Sequence, residues 1–178
     1  MRRERSRARA GRIAGGPLSS RAAVHLEDLE VGLSFETGRR TVTEADVGAF
    51  AGVTGDFNPL HTDELFAREQ TPFGTRIAHG PLVLGISYGL PSPRDDWKIL
   101  ALAGCERSFL APVFPGDTVW GVYEVLELRA SRSRRGTGFV TLGVKIHSDR
   151  GTIVQEGRDT LMIAAREDGE PAGDSRRR

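Results

Sequence analysis

Apolar and polar positions change period partway along the chain, and the change sets the expected layout. Up to about residue 97 the apolar residues fall mostly at helical spacing. Val47, Phe50, Ala51 and Thr54 recur every three or four residues, as one helix face requires. Thr43 precedes them as a cap, and Asp46, three residues on, completes an acidic form of the capping box. Gly55 stops this helix. Residues 56–60 then form a loop, because Pro59 drives Asn58 out of the helical region. A second short helix is expected over 63–69, followed by a turn at Thr71, Pro72, Phe73 and Gly74. A third helix opens at Gly80 and Pro81, with Pro at the first helical position. Leu82, Val83, Leu84, Ile86 and Tyr88 leave it almost no polar face, so protein should surround it. Pro91 and Pro93 end it.

From Lys98 onward the texture is that of strands. Four runs rich in apolar and β-branched residues occupy about 98–112, 117–130, 136–148 and 152–164. Turn residues separate them: Pro115, Gly116 and Asp117, then Arg135 and Gly136, then Asp149, Arg150 and Gly151. The short connections predict that the last three runs form an antiparallel meander. An earlier strand is expected over 33–42 and must join the same sheet from a distance in sequence. The expected architecture is α+β, with an antiparallel sheet wrapped around a central apolar helix, which is the hot-dog fold. Open sheet edges of this kind invite a second copy, so a homodimer or an assembly of dimers is expected.

Charge refines the domain limits. The 178 residues carry a formal net charge of +1, but unevenly. Residues 1–21 hold seven Arg and one Glu, whereas 22–165 hold 14 basic and 19 acidic residues. The basic balance thus belongs to a leader, 1–21, read as disordered. The domain is read as 22–165, and 166–178 as a flexible polar tail. An acidic body argues against nucleic acid as a partner. No apolar run approaches the roughly 18 residues of a membrane span. A single cysteine, Cys105, excludes an internal disulfide and fits a reducing compartment, so a cytoplasmic location is expected.

The chemistry concentrates in two segments. Thr54, Gly55, Asp56, Phe57, Asn58, Pro59, Leu60 and His61 bring a carboxylate, a carboxamide and an imidazole into six residues, 56–61. A spacing of five puts Asp56 and His61 within reach of one water, and Asn58 can hold the loop in shape. The second segment, Arg76, Ile77, Ala78, His79, Gly80 and Pro81, places the Gly80 N–H at the start of a buried helix, a ready site for developing negative charge.

These segments resemble the MaoC-like dehydratase family, which includes the (R)-specific enoyl-CoA hydratases. The likeness rests on GDFNPLH at 55–61 followed by RIAHG at 76–80, and runs from about residue 27 to about 163. It implies a hot-dog fold, a homodimer or larger assembly of dimers, and no metal or organic cofactor, since coenzyme A or phosphopantetheine arrives with the substrate. It implies hydration of a trans-2-enoyl thioester, or the reverse, with the acyl group on coenzyme A or an acyl carrier protein. Asp56 and His61 then hold one water; one takes its proton and the other returns a proton to the α-carbon. His61 is the better base near neutral pH. The Gly80 N–H then receives the thioester oxygen, a contribution of roughly 3–4 kcal/mol by analogy with oxyanion holes. Asn58 shapes the loop. Gly85 stands where several family hydratases carry Ser, and Pro81 where many carry Met. Gly85 either widens the pocket or removes a hydrogen bond to substrate.

The remaining candidates read as structural. His79 is expected to be a buried hydrogen-bonding residue at the helix entry. His25 and His147 have no sequence partners, and four dispersed His with one Cys give no metal-ligand spacing. Cys105 is expected to pack within a strand. Arg129, Arg132, Arg134 and Arg135 form a solvated hairpin or greet phosphates. Three other functions share this framework: addition of a different nucleophile in a biosynthetic tailoring step, non-catalytic binding of acyl thioesters, and thioester hydrolysis.

Overall fold

The computed structural model describes residues 23–166. The leader expected over 1–21 lies outside them, as does the expected tail beyond Arg166. Two short strands, β1 (Ser34–Glu36) and β2 (Arg40–Thr41), come first. Four helices follow: α1 (Glu44–Thr54), α2 (Pro59–Thr62), α3 (Glu64–Gln70) and α4 (Gly80–Tyr88). Four long strands complete the domain: β3 (Ile99–Phe109), β4 (Thr118–Ala130), β5 (Thr137–Ser148) and β6 (Ile153–Ala164). They match the four apolar runs of the sequence closely. All pair antiparallel in one sheet of order β1-β4-β5-β6-β3, with β2 also beside β4. Gly136 (φ 67°) and Gly151 (φ 79°) take left-handed conformations in the turns that close the meander.

Burial alternates along β4 and β5, so one face is core and the other meets solvent. Val119, Tyr123, Val125, Val140, Leu142, Val144, Ile146, Leu161 and Ile163 form a core cluster with Leu82, Val83 and Ile86 of α4. Burying each of those three helix side chains contributes about 1.5–3 kcal/mol. The far end of α4 is held as firmly. The Ser87 carbonyl accepts from Tyr123 Oη (3.3 Å) and from an Arg94 guanidinium nitrogen (3.4 Å), and that guanidinium lies 4.1 Å from the centre of the Tyr123 ring. A cation at the negative end of a helix, over an aromatic face, is favourable on both counts. The α+β hot-dog arrangement expected from the sequence is the one the chain forms.

Several expectations need correction. The strand expected over 33–42 is two strands, because Gly38 turns aside to bond the segment after α4, while Thr37 stays on β4. The Gly38 N–H donates to the Pro91 carbonyl (2.7 Å), and the Thr37 hydroxyl accepts from the Gly121 N–H (2.8 Å). The loop expected through Leu60 is shorter, since Asn58 caps a helical turn that starts at Pro59. Helix α4 is not enclosed on all sides: Pro81 and Gly85 are exposed, and Leu84 and Tyr88 only half-buried. These four share one face, which the single chain does not cover. Cys105 is exposed rather than packed. Arg166, placed at the start of the tail, is anchored instead, its guanidinium 2.6 and 2.8 Å from the Asp28 carboxylate oxygens. Burial pushes the Asp28 carboxyl up, but the His25 N–H and Arg166 outweigh it and hold it below the usual range.

Gly157 on β6 faces Arg107 on β3. A methyl group there would overlap the Glu106 carbonyl and sit 3.1 Å from Arg107 Cα. Backbone cannot yield as a flexible side chain does. Gly157→Ala is therefore expected to cost about 1–3 kcal/mol or more, as overpacking does, read as a lower urea midpoint at unchanged slope.

Candidate active site

Asp56 and His61 owe their positions to the end of one helix and the start of another. Helix α1 stops at Gly55 (φ 77°, ψ 6°), whose N–H donates to the Ala51 carbonyl (2.8 Å). The reversal throws Asp56 out with its side chain half-exposed. Its Oδ1 accepts the Asn58 N–H at 3.3 Å, and Asn58 Oδ1 accepts the Leu60 N–H at 3.0 Å. Each is a short polar side chain bonding its own backbone two residues on. Asn58 is extended (ψ 133°) and caps α2, so Pro59 takes the first helical position and His61 turns inward to a buried site.

The His61 ring is oriented by backbone. Its Nδ1 lies 2.7 Å from the Ile77 carbonyl oxygen. A carbonyl only accepts, so Nδ1 carries the hydrogen and Nε2 presents its lone pair. His79, almost fully buried, is held in the opposite sense: its Nε2 donates to the Asp56 carbonyl at 3.0 Å. Its Nδ1 is buried without a partner among the described residues. The two rings stack at 3.8 Å between centroids, and Phe50 lies 4.9 Å from His79. His79 thus fits the structural reading and ties the Asp56 backbone to the entry of α4. Asp56, His61 and His79 each offer a carboxylate oxygen or ring nitrogen, all within 4.8 Å of one another. A carboxylate and two imidazoles are a donor set that zinc accepts, and the carbonyl contact of each ring leaves its other nitrogen free, so the fold gathers ligand types that the sequence spacing keeps apart.

The segment that supplies the Ile77 carbonyl is clamped from outside. The Arg76 guanidinium donates to Glu44 of α1 (2.9 and 3.0 Å) and Glu64 of α3 (3.0 Å). Hydrogen bonding to Glu64 raises the Arg76 pKa despite burial, and the Thr75 hydroxyl and Arg76 together hold Glu64 below the usual carboxylate range. Inside, the Ala78 N–H donates to the Val113 carbonyl (2.7 Å). Gly80 follows as the first residue of α4, and its N–H meets no acceptor among the described residues. A Cβ at Gly80 would come within 2.8 Å of the Phe109 ring, so a side chain there would require that ring to shift.

Beside Gly80 lies a cavity of about 370 Å³, bounded among others by Ile77, Pro81, Phe109 and Gln155. Gln155 is its one polar side chain, and sequence reasoning missed it. Its Nε2 donates to the Gly80 carbonyl at 2.9 Å, while its Oε1 is buried without a partner among the described residues. The signal was present: counting back by twos from Ile163 and Leu161 puts Gln155 at a core-facing position. Gly85, singled out from sequence, faces open space, with no atom within 4 Å of where a Cβ would lie. The Arg129 to Arg135 cluster lies on the β4–β5 hairpin.

A carboxylate and an imidazole within 4.8 Å of each other, with a free backbone N–H at the start of α4 beside an apolar cavity, are the kinds of group that acid–base chemistry and oxyanion binding use. The family model for the MaoC like domain matches residues 28–148, and the chain belongs to that family. It is 36% identical over 148 residues to a 3-hydroxybutyryl-CoA dehydratase of Methylorubrum extorquens, covering 83% of this chain and 89% of that one. It is 35% identical over 137 residues to an (R)-specific enoyl-CoA hydratase of Aeromonas caviae, covering 77% and 97%. Among solved structures it resembles a MaoC-like dehydratase from Rhodospirillum rubrum, with TM-score 0.71 and 31% identity over 82% of this chain and 99% of that one. The chain is an enzyme of the hydratase/dehydratase type.

The two rings should differ in tautomer. Nitrogen-15 NMR of the neutral imidazoles is expected to show His61 protonated at Nδ1 and His79 at Nε2. The same tautomer for both would contradict the carbonyl contacts that set them.

Proposed function

We propose that the chain interconverts trans-2-enoyl and 3-hydroxyacyl thioesters by adding or removing water. The observation that carries this is His61, whose Nδ1 is committed to the Ile77 carbonyl and whose ring lies within 4.8 Å of the Asp56 carboxylate. That gap suits one water held by both groups. His61 Nε2 takes a proton from the water as its oxygen bonds to the β-carbon. The π electrons move toward the thioester oxygen, which the Gly80 N–H receives. The proton returns to the α-carbon on the same face, relayed across the Asp56–His61 pair. In the reverse direction the same groups remove the α-proton and release water. Asn58 and His79 hold these groups in place, through the α2 cap and the Asp56 carbonyl.

The reaction needs no cofactor beyond the coenzyme A or phosphopantetheine that the acyl group rides on. The named relatives support both carriers, since they include coenzyme A enzymes and a mitochondrial 3-hydroxyacyl-[acyl-carrier-protein] dehydratase of Arabidopsis thaliana. No helix among the described residues is long and apolar enough to cross a membrane. A free, exposed Cys105 suits a reducing compartment, which supports the cytoplasm.

The proposed working unit is a homodimer. Among the described residues strand β3 pairs only with β6, which leaves its other edge open. Ile99, Leu100, Leu102 and Phe109 on that strand are exposed, beside the uncovered face of α4. A long apolar edge strand is an aggregation hazard unless something covers it, and a second copy covers it symmetrically.

Two outcomes test these readings. Asp56→Asn and His61→Ala should each lower kcat on crotonyl-CoA by about 10²–10⁴-fold, followed by loss of enoyl absorbance, with thermal melting little changed. Full activity in both variants would reject the assignment. Leu100→Glu with Leu102→Glu should shift the sedimentation coefficient from dimer toward monomer. A wild-type chain that sediments as a monomer at micromolar concentration would reject the dimer.

A further inference from the structure

Away from Asp56 and His61, a second set of polar side chains lies buried at the far end of α4. Tyr88 Oη donates to Asp159 Oδ1 at 3.0 Å, and one Arg107 terminal nitrogen donates to both Asp159 oxygens at 2.8 and 3.0 Å. The Asp159 side chain is fully buried and that of Arg107 is 3% exposed. Burial opposes the charge on Arg107, but the Asp159 carboxylate overrides it and holds the guanidinium protonated. Arg107 Nε and Nη1 are buried with no partner among the described residues. A guanidinium offers five N–H donors in a fixed plane, so these are donors without acceptors.

Their place in the fold gives them meaning. Gln155 touches the start of α4 through the Gly80 carbonyl, and Asp159 touches its end through Tyr88. Strand β6 therefore runs alongside α4 from the proposed oxyanion donor to the charged cluster. Between those anchors the helix face carries Gly85, with open space where a side chain would stand. On β3, Arg107 pairs with Gly157, midway between Gln155 and Asp159. Two residues of strand put the Arg107 backbone about 7 Å beyond that of Gln155 along the sheet. With carbon–carbon bonds of about 1.5 Å, an extended acyl chain of about six carbons spans that distance.

We propose that the space along this helix face forms a trough that binds acyl chains bearing a neutral oxygen, a hydroxyl or carbonyl, near the sixth carbon, and that Arg107 determines this specificity. The inference rests on the hydratase reading for what enters the trough. Asp159 already neutralises Arg107, so the free donors favour an uncharged acceptor. A carboxylate at the chain end would bring an uncompensated negative charge into a buried site. A plain alkyl end would leave the donors unmet, the kind of loss that polar pockets discriminate strongly.

Calorimetry on the full-length protein with unreactive saturated thioesters tests the trough apart from the chemistry. The expected result is that 6-hydroxyhexanoyl-CoA binds at least about tenfold tighter than hexanoyl-CoA, with adipoyl-CoA weaker than the hydroxy compound. Arg107→Lys keeps the charge beside Asp159 but loses the planar donors, and the ratio should fall to near one. Arg107→Met with Asp159→Leu removes both charges together and should do the same, which guards against a single variant that fails to fold. Equal wild-type binding of the hydroxy and plain compounds, as a buried water on Arg107 would produce, overturns the proposal. So does a ratio kept in both variants, or tightest binding of adipoyl-CoA. Crotonyl-CoA turnover, measured alongside, separates the two readings. Turnover without the binding ratio removes the subsite alone; the ratio without turnover removes the hydratase reading alone.

Discussion

The burial of one face of α4 by the curled sheet is the contact on which the rest depends. Leu82, Val83 and Ile86 lock the helix against the inner faces of β4, β5 and β6. Ser87 at its far end is gripped by Tyr123 and Arg94. With the helix axis fixed at both ends, its first residue cannot drift. That residue is Gly80, and its N–H direction follows from the packing rather than from any local side chain.

The proposed reacting groups are attached to this frame by backbone carbonyls. Ile77 orients His61, Asp56 orients His79, and the Gly80 carbonyl accepts from Gln155. Carbonyls in ordered segments are rigid acceptors, so the imidazoles need no charged partner to choose a tautomer. The outer clamp of Arg76 between Glu44 and Glu64 steadies the segment that carries Ile77. Its members are substantially exposed, so it contributes alignment more than stability.

The polar side chains that face inward on β3 and β6 interrupt the apolar face of the sheet. Gln155 meets the start of α4 at the Gly80 carbonyl, and Asp159, with Arg107, meets its end at Tyr88. Buried polar groups carry a desolvation cost that only partners offset. Arg107 and Asp159 partly satisfy one another; the atoms left over on Arg107 and Gln155 mark where this interior is suited to something other than hydrocarbon.

Much of this was legible in the sequence. The Thr43 cap, the Gly55 stop, the four long strands and their meander all follow from local periodicity and turn chemistry. So did the grouping of Asp56, Asn58 and His61, because five residues of a turn cannot separate them far. The split of the strand over 33–42 was not legible, since it depends on the Pro91 carbonyl, distant in sequence. Nor was the open face of α4, which reads as apolar all round until the sheet is seen to curl past only one side. The His61 tautomer needed the Ile77 carbonyl 16 residues away, and the meeting of Tyr88 with Asp159 spans 71. Local sequence determined which elements form and which reactive groups share a loop. Contacts between residues far apart in the chain decided which way those groups point, because a hydrogen bond's direction is set by where its partner's backbone comes to rest.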